Sequence, residues 1–223
     1  QTLRSLRQQQ ILIIGSGSIT HNLSTLAWHT PNAKVPHWAT EFRQYVVQKL
    51  AHQDYEAVLD AKWHYIKIGY DKLSKNIFSS MAFLDFFAQN RNWLDPYAAF
   101  CYLRDLHHTS DYSQWGEFAK YSKDKLKKLS TSGLNLHYFV QFLLHQQLKS
   151  ASDYAHALGV GLKGDIAIGI AHDSADAWSD ESLYHMDFQT GAPPDAFSET
   201  GQNWGFPTYN WDKMAETNFA WWQ

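Results

Sequence analysis

A helix that leads into an alternating segment and then a polar loop constrains this chain most. Residues 137–158 carry apolar side chains at helical spacing, and Gly159 follows as a stop. Ile166, Ile168 and Ile170 then alternate with small residues, as in a strand of an α/β protein. Helix, strand and loop in that order is the repeating unit of a β/α barrel, whose sites lie on the loops after the strands. Asp173 stands in such a loop, within His172-Asp173-Ser174-Ala175-Asp176-Ala177-Trp178.

The flanks have a different character. Residues 62–129 are rich in aromatic residues and lysine, with helical runs at 62–73, 78–89 and 96–106, and Asp95-Pro96 reads as a helix start. From Gly191 onward, Gly191, Pro193, Pro194, Gly201, Gly205 and Pro207 leave little room for regular elements. Near the N-terminus, Ile11–Ile14 reads as a buried, parallel strand closed by Gly15, and residues 38–60 have helical spacing.

Charge and cysteine usage exclude several classes of function. The formal net charge of −3 leaves no basic face for nucleic acid or an anionic membrane. The one basic stretch, Lys120 to Lys128, reads as a solvated helix face. No apolar run is long enough to span a bilayer. Cys101 is the sole cysteine, so no intrachain disulfide can form, and a reducing, cytoplasmic location fits best. Ten tryptophans stand out among 223 residues. They serve either as large core residues or as flat platforms for ligand rings, and composition does not choose.

The loop after Gly191 has the chemistry of a sugar site. Sugar rings place an apolar face on aromatic side chains and a hydroxyl rim against carboxylates and amides. Asp195, Phe197, Gln202, Asn203 and Trp204 supply both kinds of group. The plainer alternatives are that Trp204 anchors its loop and that Asp173 caps a helix at 174–178. Asp173 and Asp176 are three apart on one segment, so they cannot flank a scissile bond from two sides.

Gly164-Asp165, Asp-Ser-x-Asp-x-Trp at 173–178, Gly-Ala-Pro-Pro-Asp at 191–195 and Gly-Gln-Asn-Trp-Gly at 201–205 resemble the 4-α-glucanotransferases of the amylomaltase and disproportionating-enzyme type. The resemblance covers about residues 62–223. Phe206-Pro-Thr-Tyr-Asn-Trp and Tyr97-Ala-Ala-Phe-Cys-Tyr-Leu-Arg-Asp are most similar to the larger, plant-cytosolic and Bacteroides-like branch. The resemblance implies an incomplete (β/α)8 barrel with a mostly helical insertion. It makes Asp173 a supporting active-site carboxylate, and Trp178, Asp195, Phe197, Gln202, Asn203 and Trp204 substrate-binding residues. It implies an α-1,4-glucan or maltooligosaccharide partner, no cofactor, and a retaining double displacement with a carboxylate pair about 5–5.5 Å apart. The family's nucleophile and acid/base lie on later strands. Its Arg-x-Asp-His motif is absent here, so this chain alone is expected to be inactive.

The N-terminal segment points elsewhere. Ile11 to Leu23, then Trp28, Pro36, Trp38 and Phe42, resemble the class III extradiol dioxygenases that open DOPA-type catechols. The resemblance implies a short α/β fragment and makes His21 a metal ligand. His29 and His37 match no ligand position. The expected organisation is therefore a join, natural or an artefact of assembly. Residues 1–61 are dioxygenase-like. Residues 62–223 are glucanotransferase-like, with a helical insertion at 62–135 and a barrel part with the substrate loop at 136–223. Three functions compete: a glucanotransferase, an extradiol dioxygenase, and a glucan-binding remnant without catalysis.

Overall fold

The computed structural model describes residues 40, 41, 44, 45, 48, 54–162, 168–196 and 198–222. The expected strand at Ile11–Ile14 and the candidate metal ligand His21 lie outside the described residues. The chain divides into two units, Gln1–Asp71 and Lys72–Gln223. Helix α1 (Tyr55–Phe78) starts behind Asp54, whose Oδ1 accepts the Ala57 N–H at 3.1 Å. It runs without a break through residue 61, as the helix-permissive sequence on both sides allows.

In the second unit, α2 (Met81–His107) begins at Ser80, whose hydroxyl oxygen accepts the Phe83 N–H at 3.2 Å. It ends at His108, which takes φ 55° and returns its N–H to Arg104 O. Pro96 was expected to start a helix, yet it lies inside this one. The reason is packing: Phe83, Phe86, Leu94, Ala98 and Phe100 are buried on both sides of the proline, so the core holds the helix through it. Asp95 has also been recruited elsewhere. Its carboxylate accepts from Arg91 Nε at 2.9 Å and from the Tyr138 hydroxyl at 2.8 Å.

A single turn, α3 (Lys123–Leu126), precedes α4 (Thr131–Ala157). Two exposed lysines near α3 are matched, in Lys127–Asp124 and Lys128–Glu117 ion pairs at 2.7 and 2.6 Å. Helix α4 contains the expected 137–158 segment up to Ala157, with Leu158 as its C-cap, and stops where Gly159 was expected to stop it. Gly159 adopts φ 73°, its N–H reaches His156 O, and the Val160 N–H reaches Ala155 O at 2.9 Å. Tyr138 and Phe142 of α4 pack on Phe83, Phe86, Leu94 and Ala98 of α2 to form the first core cluster. A Cβ at Gly133 would sit 2.2 Å from the Tyr102 ring, so glycine is what lets the first turn of α4 approach α2. A second cluster gathers Ala99, Phe100, Leu103, Trp115 and Trp178.

The described residues are mostly helical. Their strands are four two-residue pieces: β1 (Tyr184–His185), β2 (Gly191–Ala192), β3 (Gln202–Asn203) and β4 (Thr208–Tyr209). β1 pairs antiparallel with β4, Tyr184 opposite Tyr209, and β2 with β3, Gly191 opposite Asn203. The strand expected at 166–170 is not formed over its described part, 168–170. Gly169 sits at φ 88°, outside the β region. Its N–H goes to the Tyr209 hydroxyl at 2.8 Å instead of to a neighbouring strand, and Ile168 is 74% exposed. Alternation in sequence marked a turn over the loop here, because a glycine can take the left-handed region at no steric cost.

Candidate functional site

Asp173 lies just ahead of the short helix α5 (Ala175–Ser179). It does not cap that helix. Ser174 does, accepting the Ala177 N–H on its hydroxyl at 3.2 Å. The Asp173 carboxylate is exposed, and its Oδ2 accepts a hydrogen bond from the hydroxyl of Ser110, on the loop after α2. Tyr112 of that loop is raised above the ordinary phenol range by burial and then by the nearby carboxylates of Glu181, Asp111 and Asp173. Asp176 faces another way, its Oδ1 accepting from Trp221 Nε1 at 2.9 Å.

Trp178, expected to bind substrate, is a core residue in this structure. It is 4% exposed, with Trp115 at 5.6 Å, Tyr121 at 5.1 Å and Phe100 at 6.0 Å between ring centroids. Its indole N–H donates to Phe118 O at 2.9 Å. The aspartate and tryptophan of one motif thus divide the work: Asp173 faces solvent, and Trp178 ties α5 to the loop at 109–118.

The loop between β1 and β4 carries the remaining candidates. Thr190 and Trp204 hold its two sides together: the Trp204 N–H reaches Thr190 O at 2.9 Å, and the Thr190 N–H reaches Phe206 O at 2.8 Å. Two glycines allow the close approach. A Cβ at Gly191 would meet Gln202 O at 2.1 Å, and Gly201, at φ 74°, lies against Ala192 O. Asp195 turns the tip, its Oδ1 accepting the Ser198 N–H at 2.8 Å. Gln202, Asn203 and Trp204 are all exposed, Trp204 to 47%. The Trp204 indole N–H is held by Gln202 Oε1 at 2.9 Å. Asn203 Oδ1 accepts the Gly205 N–H at 2.9 Å, and its amide donates to Gln189 Oε1. Phe197 lies outside the described residues.

The loop is footed on an aromatic cluster. Tyr209 stands 5.0 Å from Trp211, 5.7 Å from Trp221 and 5.0 Å from Trp222. Trp211 and Trp222 stack at 17° and 5.9 Å, and Trp221 meets Trp222 edge-on at 4.9 Å. Helix α6 (Trp211–Glu216) supplies buried Met214, whose sulfur accepts the Trp222 indole N–H at 3.3 Å. The first unit has a cavity of about 570 Å³ lined by Glu41, Tyr45, Asp60, His64 and Tyr65, among others, and by none of the candidate site residues. Among the described residues, no group of three or more His, Cys, Asp or Glu could hold a metal ion, and no helix is long and apolar enough to cross a membrane.

The fold is similar to that of an amylomaltase from Streptococcus agalactiae in complex with acarbose. The TM-score is 0.64 at 25% identity, over 76% of this chain and 36% of that one. Amylomaltase from Corynebacterium glutamicum gives 0.59 at 21% identity over 82% of this chain and 26% of its own. These neighbours are consistent with a part of an α/β barrel whose described portion is mostly helical. The family model for 4-alpha-glucanotransferase matches residues 20–223, and the chain belongs to that family. The match includes residues 20–61, part of the segment compared above with dioxygenases. The 4-alpha-glucanotransferase DPE2 of Oryza sativa subsp. japonica is 45% identical over 176 residues, 76% of this chain and 19% of the rice protein. The 4-alpha-glucanotransferase of Clostridium butyricum is 36% identical over 152 residues, 63% of this chain and 31% of that protein. The chain thus spans about a fifth to a third of the length of these relatives.

Proposed function

We propose that this chain carries the substrate loop and the supporting carboxylate of a cytoplasmic 4-α-glucanotransferase, of the larger plant-cytosolic type, which moves α-1,4-glucan segments by retaining double displacement. The observation that carries the reading is Trp204. It is a half-exposed flat ring pinned in its plane by Gln202, with exposed Asn203 beside it and Asp195 on the same loop. A glucose unit has the matching form, an apolar face for the ring and hydroxyls for the polar rim. The acarbose in the Streptococcus neighbour's complex supports the same class of ligand.

Asp173 serves as support and not as nucleophile. Retaining transfer needs two carboxyl groups about 5–5.5 Å apart on opposite sides of the scissile bond. Asp176, its sequence neighbour, is engaged with Trp221. The chain by itself therefore binds glucan and does not transfer it. The dioxygenase likeness rests on Ile11 to Leu23, Trp28, Pro36, Trp38 and Phe42, all outside the described residues, and carries no part of this reading.

Calorimetric titration of the purified chain with maltoheptaose tests the proposal. Trp204→Ala weakens binding by about three- to tenfold, the scale of one aromatic contact, and leaves the melting temperature unchanged. No heat from the unmutated chain, or equal affinity in Trp204→Ala, refutes it. Maltotriose incubated with the chain stays intact, and disproportionation that tracks the purified chain contradicts the assignment of Asp173.

A further inference from the structure

We infer that Ser110 is the positioning residue for Asp173, fixing the carboxylate through which the site meets its sugar; this rests on the glucan reading above. The loop after α2 fixes the donor. His108 closes α2 in the left-handed region, and Thr109 and Asp111 are then each committed to their own neighbours. Thr109 O accepts from Trp115 Nε1 at 3.1 Å, and Thr109 Oγ1 accepts the Asp111 N–H at 3.2 Å. The Asp111 carboxylate accepts from the Ser113 N–H, the Ser113 hydroxyl and the Gln114 amide at 3.1, 2.6 and 2.6 Å. Ser110, between them, points across 63 positions of sequence to Asp173 Oδ2.

The other side is equally constrained. Ser174 caps α5 directly after Asp173, and Trp178 locks α5 to the loop through Phe118 O and the buried face of Trp115. Two tryptophans thus clamp the segments that carry the donor and the acceptor, and the hydroxyl-to-carboxylate bond closes the gap between them. Oδ2 is occupied, while Oδ1 has no hydrogen-bond partner among the described residues. One oxygen is held by the protein, and the other is presented in a set direction. Without Ser110 the exposed carboxylate turns about its side-chain bonds, and ordering it again on binding opposes affinity.

The test uses the full chain with Ser110→Ala, Ser110→Thr and Asp173→Ala, alone and combined. Maltoheptaose affinity falls roughly three- to tenfold in Ser110→Ala, the scale of one hydrogen bond, and returns in Ser110→Thr, which keeps the hydroxyl. In the Asp173→Ala background Ser110→Ala has no further effect, because its partner is gone. Melting temperatures of the Ser110 variants match the parent. The second readout needs no ligand: the ¹³C carboxyl resonance of Asp173 moves in Ser110→Ala and returns in Ser110→Thr. An unmoved resonance, additive losses with Asp173→Ala, or no recovery with threonine overturns the inference. A moved resonance in a chain that binds no maltoheptaose upholds the Ser110–Asp173 link and refutes the glucan reading instead.

Discussion

Replacing Gly169 by alanine should be far more damaging than the loss of one glycine suggests, because two separate costs fall on one methyl group. The first is conformational. Gly169 sits at φ 88°, where an L-residue is disfavoured by roughly 1–2 kcal/mol. The second is steric. The new Cβ would stand 2.3 Å from two carbons of the Phe206 ring, and forcing atoms into packed space costs about 1–3 kcal/mol. The sum is roughly 2–5 kcal/mol. Gly159→Ala separates the two, since Gly159 is at φ 73° with nothing within 4 Å of a Cβ, so it loses only the first. Urea unfolding followed by tryptophan fluorescence gives the stabilities. Phe206→Leu in the Gly169→Ala chain should recover part of the second cost. If Gly169→Ala costs no more than Gly159→Ala, or if Phe206→Leu recovers nothing, the packing argument fails. The disturbance also reaches the site, because Phe206 lies 5.9 Å from Trp204.

Trp178→Ala leaves a large cavity in the second core cluster and an unpaired Phe118 carbonyl, and should cost about 3–5 kcal/mol; a melting temperature close to the parent's would show that Trp178 is not core. Tyr184→Phe should be neutral or stabilising, since the Tyr184 hydroxyl is buried with no hydrogen-bond partner among the described residues, and a clear loss in urea midpoint would mean that the hydroxyl is engaged. Stability should decline on the alkaline side. Burial, followed by the nearby Cys101, pushes the Tyr97 phenol up to about 12, and burial with the Asp95 hydrogen bond raises Tyr138. These folded values lie above the unfolded value of about 10, so the contribution is complete below pH ~10 and disappears as pH rises through the folded values. Urea midpoints measured from neutral to strongly alkaline pH should fall over that window, less steeply in Tyr138→Phe, and a flat profile would contradict the burial of these phenols.

The helices were legible because their signals are local. Helical spacing over 137–158 matched the α4 end at Ala157 to within one residue, and Gly159 supplied its stop, since a left-handed residue is needed there. Boundaries failed where tertiary packing overrode a local sign, as at Pro96, which the first core cluster carries through α2. The alternation of Ile166, Ile168 and Ile170 misled over its described part, because a period of two says nothing about whether a partner strand lies alongside. Of the site, the exposure of Trp204, Gln202 and Asn203 agrees with a polar loop rich in glycine and proline. Trp178 could not be placed from its motif, since an indole serves a core as readily as a sugar. Ser110 carried no signal at all: a lone serine reveals its role only when folding brings Asp173 beside it.

The aromatic footing of the loop has an optical consequence. Indoles as close as Trp211 to Trp222 and Trp221 to Trp222 do not absorb independently. Their transition dipoles mix, and because the rings are held at fixed angles the mixture is chiral and appears as a paired positive and negative band in ultraviolet circular dichroism. Trp204, standing apart on the loop, contributes little to that couplet but reports on its own surroundings through its emission. Trp115 and Trp178, 5.6 Å apart in the second core cluster, add a couplet of their own, and the Trp204 emission is the part that Trp204→Ala removes. A ligand on the loop dims or shifts that part of the emission while the couplets stay, and a perturbation that loosens the footing weakens the footing's couplet and leaves the core pair's.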